Sequence, residues 1–222
     1  MNILKNKYSL KDVLVFDWDG TLFDSMPIKR ENFCLSLERV FKEKTIDFDI
    51  VMNLYMKYSG MPRFDIFNFI LNDLSISFSR ENYKDFDLFF TELNYERLRD
   101  AKLFEDAIEF LFKLKSMNVN LNISSSVPEK ELRILTELKL KELGCNVFNL
   151  IIGTSKLYSK GSGHFNYISK STKKSFEHFI FFGDDFHDYE AAKESDIDFI
   201  MIDREERFID HTFCSVSSFN TI

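Results

Sequence analysis

Aspartates are concentrated at two places in the sequence, each directly after a run of apolar residues. Asp17 and Asp19 follow the apolar run 13–16, and the stretch 183–188, Gly-Asp-Asp-Phe-His-Asp, follows the apolar run 179–182. Carboxylates that share a site repel one another unless a cation neutralises them, and a donor set made only of oxygen favours Mg²⁺ over zinc. Together, the two clusters predict a magnesium site.

A simpler alternative is that each cluster is a polar turn. Asp17 or Asp184 would then cap the helix that follows. Neither cluster alone decides between the two interpretations. Because both clusters follow an all-apolar run, we favour the metal site.

The elements that must position these residues can be inferred from hydrophobic periodicity. Five runs are apolar on both faces, which is typical of buried strands in a parallel sheet. From about residue 104 onward they alternate with helical patterns, which predicts an α/β fold with a doubly wound, Rossmann-like parallel sheet. Ligands of such sheets bind beyond the carboxyl ends of the strands. The five runs are Val13–Phe16, Val119–Ile123, Phe148–Ile152, Phe179–Phe182 and Ile197–Ile202.

The stretch 25–103 differs from the rest of the chain. It has few strand-like runs, a single glycine (Gly60), and apolar residues that recur at helical spacing. We therefore predict an all-helical domain at 25–103, inserted into a core formed by 1–24 and 104–222.

Composition excludes several classes of protein. The 222 residues include 36 acidic and 29 basic side chains, so the net charge of -7 argues against nucleic acid as a partner. Cys34, Cys145 and Cys214 lie far apart without a CxxC pair, which excludes a disulfide framework or a structural zinc site. There is no signal-peptide pattern and no apolar stretch near the roughly 18 residues that span a bilayer. We expect a reduced, soluble, cytoplasmic protein with no membrane partner.

The string VLVFDWDGTLFDS, Val13 to Ser25, resembles the first motif of the haloacid dehalogenase superfamily of phosphohydrolases. Ser124, after an apolar run, stands where the second motif places Ser or Thr. Lys160 stands at the lysine of the third motif, and 182–188 matches the fourth motif, Gly-Asp-x-x-x-Asp. The predicted helical insertion lies where the helical-cap subclass of this superfamily carries its cap. The resemblance covers nearly the whole chain.

This resemblance implies a division of roles among the aspartates. Asp17 would be the nucleophile that forms an aspartyl-phosphate. Mg²⁺ would be held by Asp17, by Asp184 and by the backbone carbonyl of Asp19. The Asp19 side chain would protonate the leaving oxygen and then activate water, and an aspartate there points to phosphate-ester chemistry rather than dehalogenation.

The same resemblance assigns the remaining site residues. Ser124 would bind a phosphate oxygen, Lys160 would neutralise the phosphoryl charge and hold Asp17, and Asp188 would orient Lys160 or lie just outside the metal's ligands. The motif lysine is usually followed by proline, whereas Gly161 follows Lys160 here and Lys156 lies nearby. We favour Lys160, because the glycines at 161 and 163 can turn the chain into a helix. Further substrate-binding candidates are Gly20, Thr21, Ser125 and Arg63.

Among the surrounding residues, only Arg63 has an ambiguous role in the sequence. Arg63 lies in a loop of the cap that resembles the family's specificity loop, where it would reach a substrate anion, but a solvated arginine explains it equally well. Ser126 begins a Ser-Val-Pro-Glu capping box and is predicted to cap the next helix. His164, like His178 and His211, has no partner pattern and is interpreted as structural or exposed.

The function expected from these observations is a Mg²⁺-dependent phosphatase acting on a small phosphorylated metabolite. A phosphomutase of the β-phosphoglucomutase type would use the same nucleophile and cap. A regulatory protein that binds a phosphorylated ligand without turnover is the third possibility, and the presence of both Asp17 and Asp19 argues against it.

Overall fold

A computed structural model describes residues 11–117, 119–142, 147–208 and 213–222 of the protein. The predictions about Cys145 and His211 lie outside these residues. Contacts divide the chain into two compact units: Ser25–Ala101, called the helical unit, and a core unit made of the preceding residues and Lys102–Ile222. Within the described residues, no helix combines the length and apolar character needed to cross a membrane.

The helical unit contains four helices that enclose an aromatic core. Phe33 and Phe67 each pack against the ring of Phe86, with centroids 4.7 Å and 4.6 Å away. Ser79 starts the fourth helix with a capping box that it shares with Asn82, which satisfies backbone N–H groups at the helix start. The helices are α1 (Met26–Val40), α2 (Phe48–Lys57), α3 (Arg63–Asp73) and α4 (Arg80–Arg97).

Arg63, at the start of α3, is engaged within the helical unit. Its Nη1 donates to Asp87 Oδ1 at 2.7 Å and to Thr91 Oγ1 at 2.8 Å, both on α4. The guanidinium also lies 4.9 Å from the centroid of the Phe90 ring. These contacts tie α3 to α4, so Arg63 is not the solvated loop arginine considered above.

The core unit is built on a six-stranded, all-parallel sheet in the order β3-β2-β1-β4-β5-β6. This confirms the predicted doubly wound parallel α/β class. The short edge strand β6 was not predicted. The strands are β1 (Val13–Phe16), β2 (Asn120–Pro128), β3 (Leu150–Thr154), β4 (Phe179–Gly183), β5 (Asp198–Ile202) and β6 (Cys214–Val216).

Helices cover both faces of this sheet, because alternate side chains of the central strands are apolar on both sides. On one face, Phe16 stacks on Phe182 with ring centroids 4.8 Å apart, and Phe110 packs edge-on against both. On the other face, Phe181 packs against Phe165 at 5.2 Å. The helices of the core unit are α5 (Glu105–Lys115), α6 (Glu129–Glu142), α7 (Ser162–Thr172) and α8 (Phe186–Glu194).

The chain leaves and re-enters the core unit at adjacent points. Asp24 N donates to Lys102 O at 2.9 Å, and Phe23 forms an antiparallel bridge with Leu103. Because residues 102 and 103 pair with the end of the first core segment, the helical unit ends at Ala101, two residues before the expected boundary.

Strand register determines which side chains meet at the carboxyl edge of the sheet. Phe16, the last residue of β1, is aligned with Ile123 of β2 and with Phe182 of β4. The residues that follow these three positions therefore lie side by side. They are Asp17, Ser124 and Gly183.

Candidate active site

The centre of the site is a largely buried lysine, with 11% of its side chain exposed, that lies between two aspartates. Lys160 Nζ lies 2.6 Å from Asp17 Oδ1 and 2.6 Å from Asp188 Oδ1. Asp17 is fixed in turn by its backbone N–H, which donates to Phe182 O at 2.8 Å. Lys156, the alternative motif lysine, instead lines a surface groove of about 670 Å³ beside β3, together with Tyr158.

Three carboxylates converge next to this lysine. Asp17, Asp184 and Asp188 are buried and offer oxygen atoms that all lie within 4.8 Å of one another. Thr21 Oγ1 donates to Asp184 Oδ1 at 3.3 Å, and Arg207 Nη2 donates to the backbone O of Asp184 at 2.7 Å. The two aspartate clusters of the sequence therefore meet in one group.

The negative charge of this group exceeds the positive charge around it. Burial raises the pKa of Asp17 to about 7, an effect that Lys160 opposes and that the charges of Asp188 and Asp19 reinforce. Although burial alone would lower the pKa of Lys160, the charges of Asp17 and Asp188 raise it above its usual value. Lys160 is therefore held firmly in its charged form.

Asp184 is the least compensated of the three carboxylates. Burial raises its pKa well above the usual value, the charges of Asp17 and Asp188 add to the rise, and Arg207 opposes it. A buried carboxylate with so little compensating charge is stabilised by a cation. The oxygen-only donor set fits a hard divalent ion such as Mg²⁺, for which Asp17 and Asp184 would provide side-chain ligands.

The turn after β1 brings Asp184 close to the backbone. Gly20 has a φ of +78°, and a Cβ at this position would lie 2.3 Å from Asp184 Oδ2. A side chain at this position would be strained by the positive φ, and Asp184 would have to move to make room for it. Asp19, the residue before Gly20, is partly exposed, whereas Thr21 after it is fully buried.

The two candidate serines lie inside β2, because this strand continues to Pro128. Ser124 is fully buried, and its Oγ lies 2.9 Å from His164 Nδ1. Ser125 Oγ accepts a hydrogen bond from the backbone of Val127 at 3.2 Å. Since α6 starts at Glu129, Ser126 belongs to the strand, and the predicted capping box is wrong.

Gly161 allows the chain to pass from Lys160 into α7. It has a φ of +95° and a ψ of -138°, a conformation that proline, with φ fixed near −65°, cannot adopt. The glycine that departs from the usual motif is therefore required by this backbone.

We expect Gly161→Ala to lower the free energy of unfolding by about 1–3 kcal/mol, because a Cβ is strained at this φ. Its Cβ would also lie 3.3 Å from Ala191 Cβ. Gly163→Ala is the matched control: its Cβ would meet nothing closer than 3.8 Å, and alanine in a helix adds up to about 1 kcal/mol. Urea unfolding of both variants measures the difference, and equal stabilities would contradict this account.

The sequence interpretation missed three residues of the site. His164 is fully buried beside Ser124, although it has no partner pattern in the sequence. Arg207 contacts Asp184, and Arg204 donates to the backbone O of Thr21 at 3.1 Å. These contacts join segments far apart in the chain, so no local sequence pattern predicts them. Asp185, by contrast, is a helix cap: it accepts from His187 N at 3.0 Å.

Comparison with solved structures places this architecture among known proteins. A haloacid dehalogenase-like hydrolase from Bacteroides fragilis superposes with a TM-score of 0.77 at 19% identity, covering 96% of this chain and 100% of the other. A predicted phosphoglycolate phosphatase from Haemophilus somnus 129PT gives 0.69 at 20% identity, covering 86% and 85%. CbbY from Rhodobacter sphaeroides, in complex with xylulose-(1,5)bisphosphate, gives 0.72 at 14% identity, covering 94% and 95%. At these identities the likeness shows the fold.

The sequence itself identifies the family. No curated protein sequence matches the chain. A family model described as haloacid dehalogenase-like hydrolase does match it over residues 14–202, which contain every site residue discussed above except Arg204 and Arg207. With this match over most of its length, the chain belongs to the haloacid dehalogenase-like hydrolases.

Proposed function

We propose that this protein is a Mg²⁺-dependent phosphatase that hydrolyses a small phosphomonoester through an aspartyl-phosphate on Asp17. The observation that carries the proposal is the contact of Lys160 Nζ with Asp17 Oδ1 at 2.6 Å, beside a group of buried carboxylates. Family membership supports hydrolase activity in general. The phosphatase named among the structural neighbours supports a phosphate ester as substrate.

Asp17 is the proposed nucleophile. One of its carboxylate oxygens attacks phosphorus, a new O–P bond forms, and the bond from phosphorus to the leaving oxygen breaks. Attack of a carboxylate on a phosphate dianion is opposed by charge repulsion. Lys160, held beside Asp17, reduces that repulsion and fixes the orientation of the carboxylate.

Asp19 is the proposed general acid and base. It lies two residues after Asp17, close enough for its charge to raise the pKa of Asp17, and it is partly exposed. In the first step it gives a proton to the leaving oxygen. In the second step it takes a proton from the water that attacks the aspartyl-phosphate, which releases inorganic phosphate and restores Asp17.

The metal and the phosphate have separate proposed ligands. Asp17, Asp184 and the backbone carbonyl of Asp19 would hold Mg²⁺, which when bound neutralises charge on the phosphoryl group. Ser124 would donate to a phosphoryl oxygen, supported by its position next to Asp17 at the sheet edge. Gly20, Thr21 and Ser125 stay as substrate-binding proposals. We leave Arg63 out, because Asp87 and Thr91 engage its guanidinium.

We expect release of inorganic phosphate from a few members of a panel of phosphorylated metabolites, including sugar phosphates and phosphoglycolate, only when Mg²⁺ is present. The sugar bisphosphate bound by one structural neighbour is the reason for including sugars. Trp18, the single tryptophan, lies between Asp17 and Asp19, so its fluorescence should respond to Mg²⁺ binding without substrate.

Full phosphate release in excess EDTA, with no fluorescence response to Mg²⁺, would exclude the metal. Isomerisation of a sugar monophosphate without phosphate release would replace the phosphatase by a phosphomutase. That reaction would need the aspartyl-phosphate to outlive reorientation of the substrate.

A further inference from the structure

The hydroxyl of Ser124 lies within hydrogen-bonding distance of a histidine from another element of the core unit. Ser124 Oγ in β2 and His164 Nδ1 in the first turn of α7 are 2.9 Å apart, and both residues are fully buried. The other ring nitrogen, Nε2, has no hydrogen-bond partner among the described residues. The steps of the proposed reaction above make no use of this histidine.

A serine hydroxyl has one proton to give and two lone pairs that accept. A phosphoryl oxygen only accepts, so Ser124 can bind it only by donating that proton. If the proton were directed at His164 Nδ1 instead, Ser124 would present lone pairs to the phosphate, and the contact would be repulsive. Phosphate binding at Ser124 therefore requires Nδ1 to be the donor in the pair.

The surroundings of His164 fit this requirement. Burial, and next the charge of Lys160, lower the pKa of His164 to about 4, and the backbone of Gly153 opposes this shift without forming a hydrogen bond to Nε2. At neutral pH the ring therefore carries a single N–H. An N–H at Nε2 would be buried without a partner, which is costly, whereas an N–H at Nδ1 points to Ser124 Oγ.

We propose that His164 is a positioning residue: its neutral imidazole, protonated at Nδ1, donates to Ser124 Oγ and so directs the hydroxyl proton of Ser124 to a phosphoryl oxygen. This inference rests on the proposed role of Ser124 in the phosphatase. The segment 160–164 would then have two roles. Lys160 holds Asp17, and His164, four residues later, orients the hydroxyl proton of Ser124.

The direct test is the ¹⁵N NMR spectrum of the imidazole groups in the wild-type protein with Mg²⁺ and saturating inorganic phosphate. The signals of His164 are identified by their absence in His164→Asn. We expect shifts of the Nδ1–H tautomer. Shifts of the Nε2–H tautomer in the phosphate-bound protein would overturn the proposal.

Affinity for inorganic phosphate, measured by calorimetry, gives a second readout. His164→Leu should weaken binding about 10-fold, the scale of one hydrogen bond to a charged group. His164→Asn, whose amide N–H can occupy the place of Nδ1–H, should stay within about 3-fold of wild type. Equal affinities of His164→Leu and wild type would contradict the proposal.

Ser124→Ala separates failure of this inference from failure of the proposed function. Unchanged phosphate affinity in Ser124→Ala would remove Ser124 as a phosphate ligand, and the role of His164 would fall with it. Weakened binding in Ser124→Ala together with wild-type binding in His164→Leu would overturn the role of His164 alone.

Discussion

Replacing Asp17 with asparagine should reduce turnover by at least about 10⁴-fold, the scale on which enzymes lose activity without their nucleophile. The amide group of asparagine has the shape of the carboxylate, but its oxygen lacks the charge and nucleophilicity needed to attack phosphorus. The variant should stay folded, because Lys160 keeps its ion pair with Asp188. Phosphate release under saturating Mg²⁺ and substrate is the measurement.

Asp12→Asn is a matched control for this experiment. Asp12 lies just before β1, at the opposite end of the strand from Asp17, and pairs with Lys174. The control should keep activity within a few-fold of wild type. If Asp17→Asn kept activity in the same range, Asp17 could not be the nucleophile.

Lys160→Met is expected to produce the second large loss, in both turnover and stability. Removing a group that stabilises the charge of the transition state typically lowers the rate by about 10²–10³-fold. The substitution also leaves Asp17 and Asp188 buried without their cation, and breaking a buried ion pair typically costs about 3–5 kcal/mol of unfolding free energy. Phosphate release and urea unfolding, the latter in EDTA so that no metal compensates, measure the two losses.

Lys156→Met provides the comparison for Lys160→Met. Lys156 lines the surface groove beside β3, and an exposed lysine contributes little to stability. Both rate and stability should stay near wild type. A larger loss of rate in Lys156→Met than in Lys160→Met would show that Lys156, and not Lys160, is the lysine of the third motif.

The sequence was most informative where a local pattern determines the structure. The all-apolar runs around 13–16 and 179–182 predict parallel strands, and parallel strands end at one edge of the sheet. That rule alone is enough to expect Asp17 near Asp184. Ser124 and Lys160 could be predicted as site residues only from the motif resemblance, because their spacing from the aspartates follows no periodicity.

The features that the sequence did not predict depend on tertiary contacts. The strand β6 has three residues, too few for an alternating pattern, and it forms by pairing with β5. Ser126 fits a capping box, but pairing of Pro128 with Thr154 extends β2 past it. His164 and Arg207 can be assigned to the site only from their contacts with Ser124 and with the backbone of Asp184, which lie elsewhere in the chain.

The adjacent exit and re-entry points of the core unit have an evolutionary consequence. Because Asp24 and Lys102 are joined by a backbone hydrogen bond, a peptide of a few residues could span the gap that the helical unit now fills. Segments of very different length can be accommodated between such closely spaced ends with little added cost in chain entropy. The inserted segment is thus free to diverge, by replacement or loss, while the strands that carry Asp17 and Ser124 keep their register.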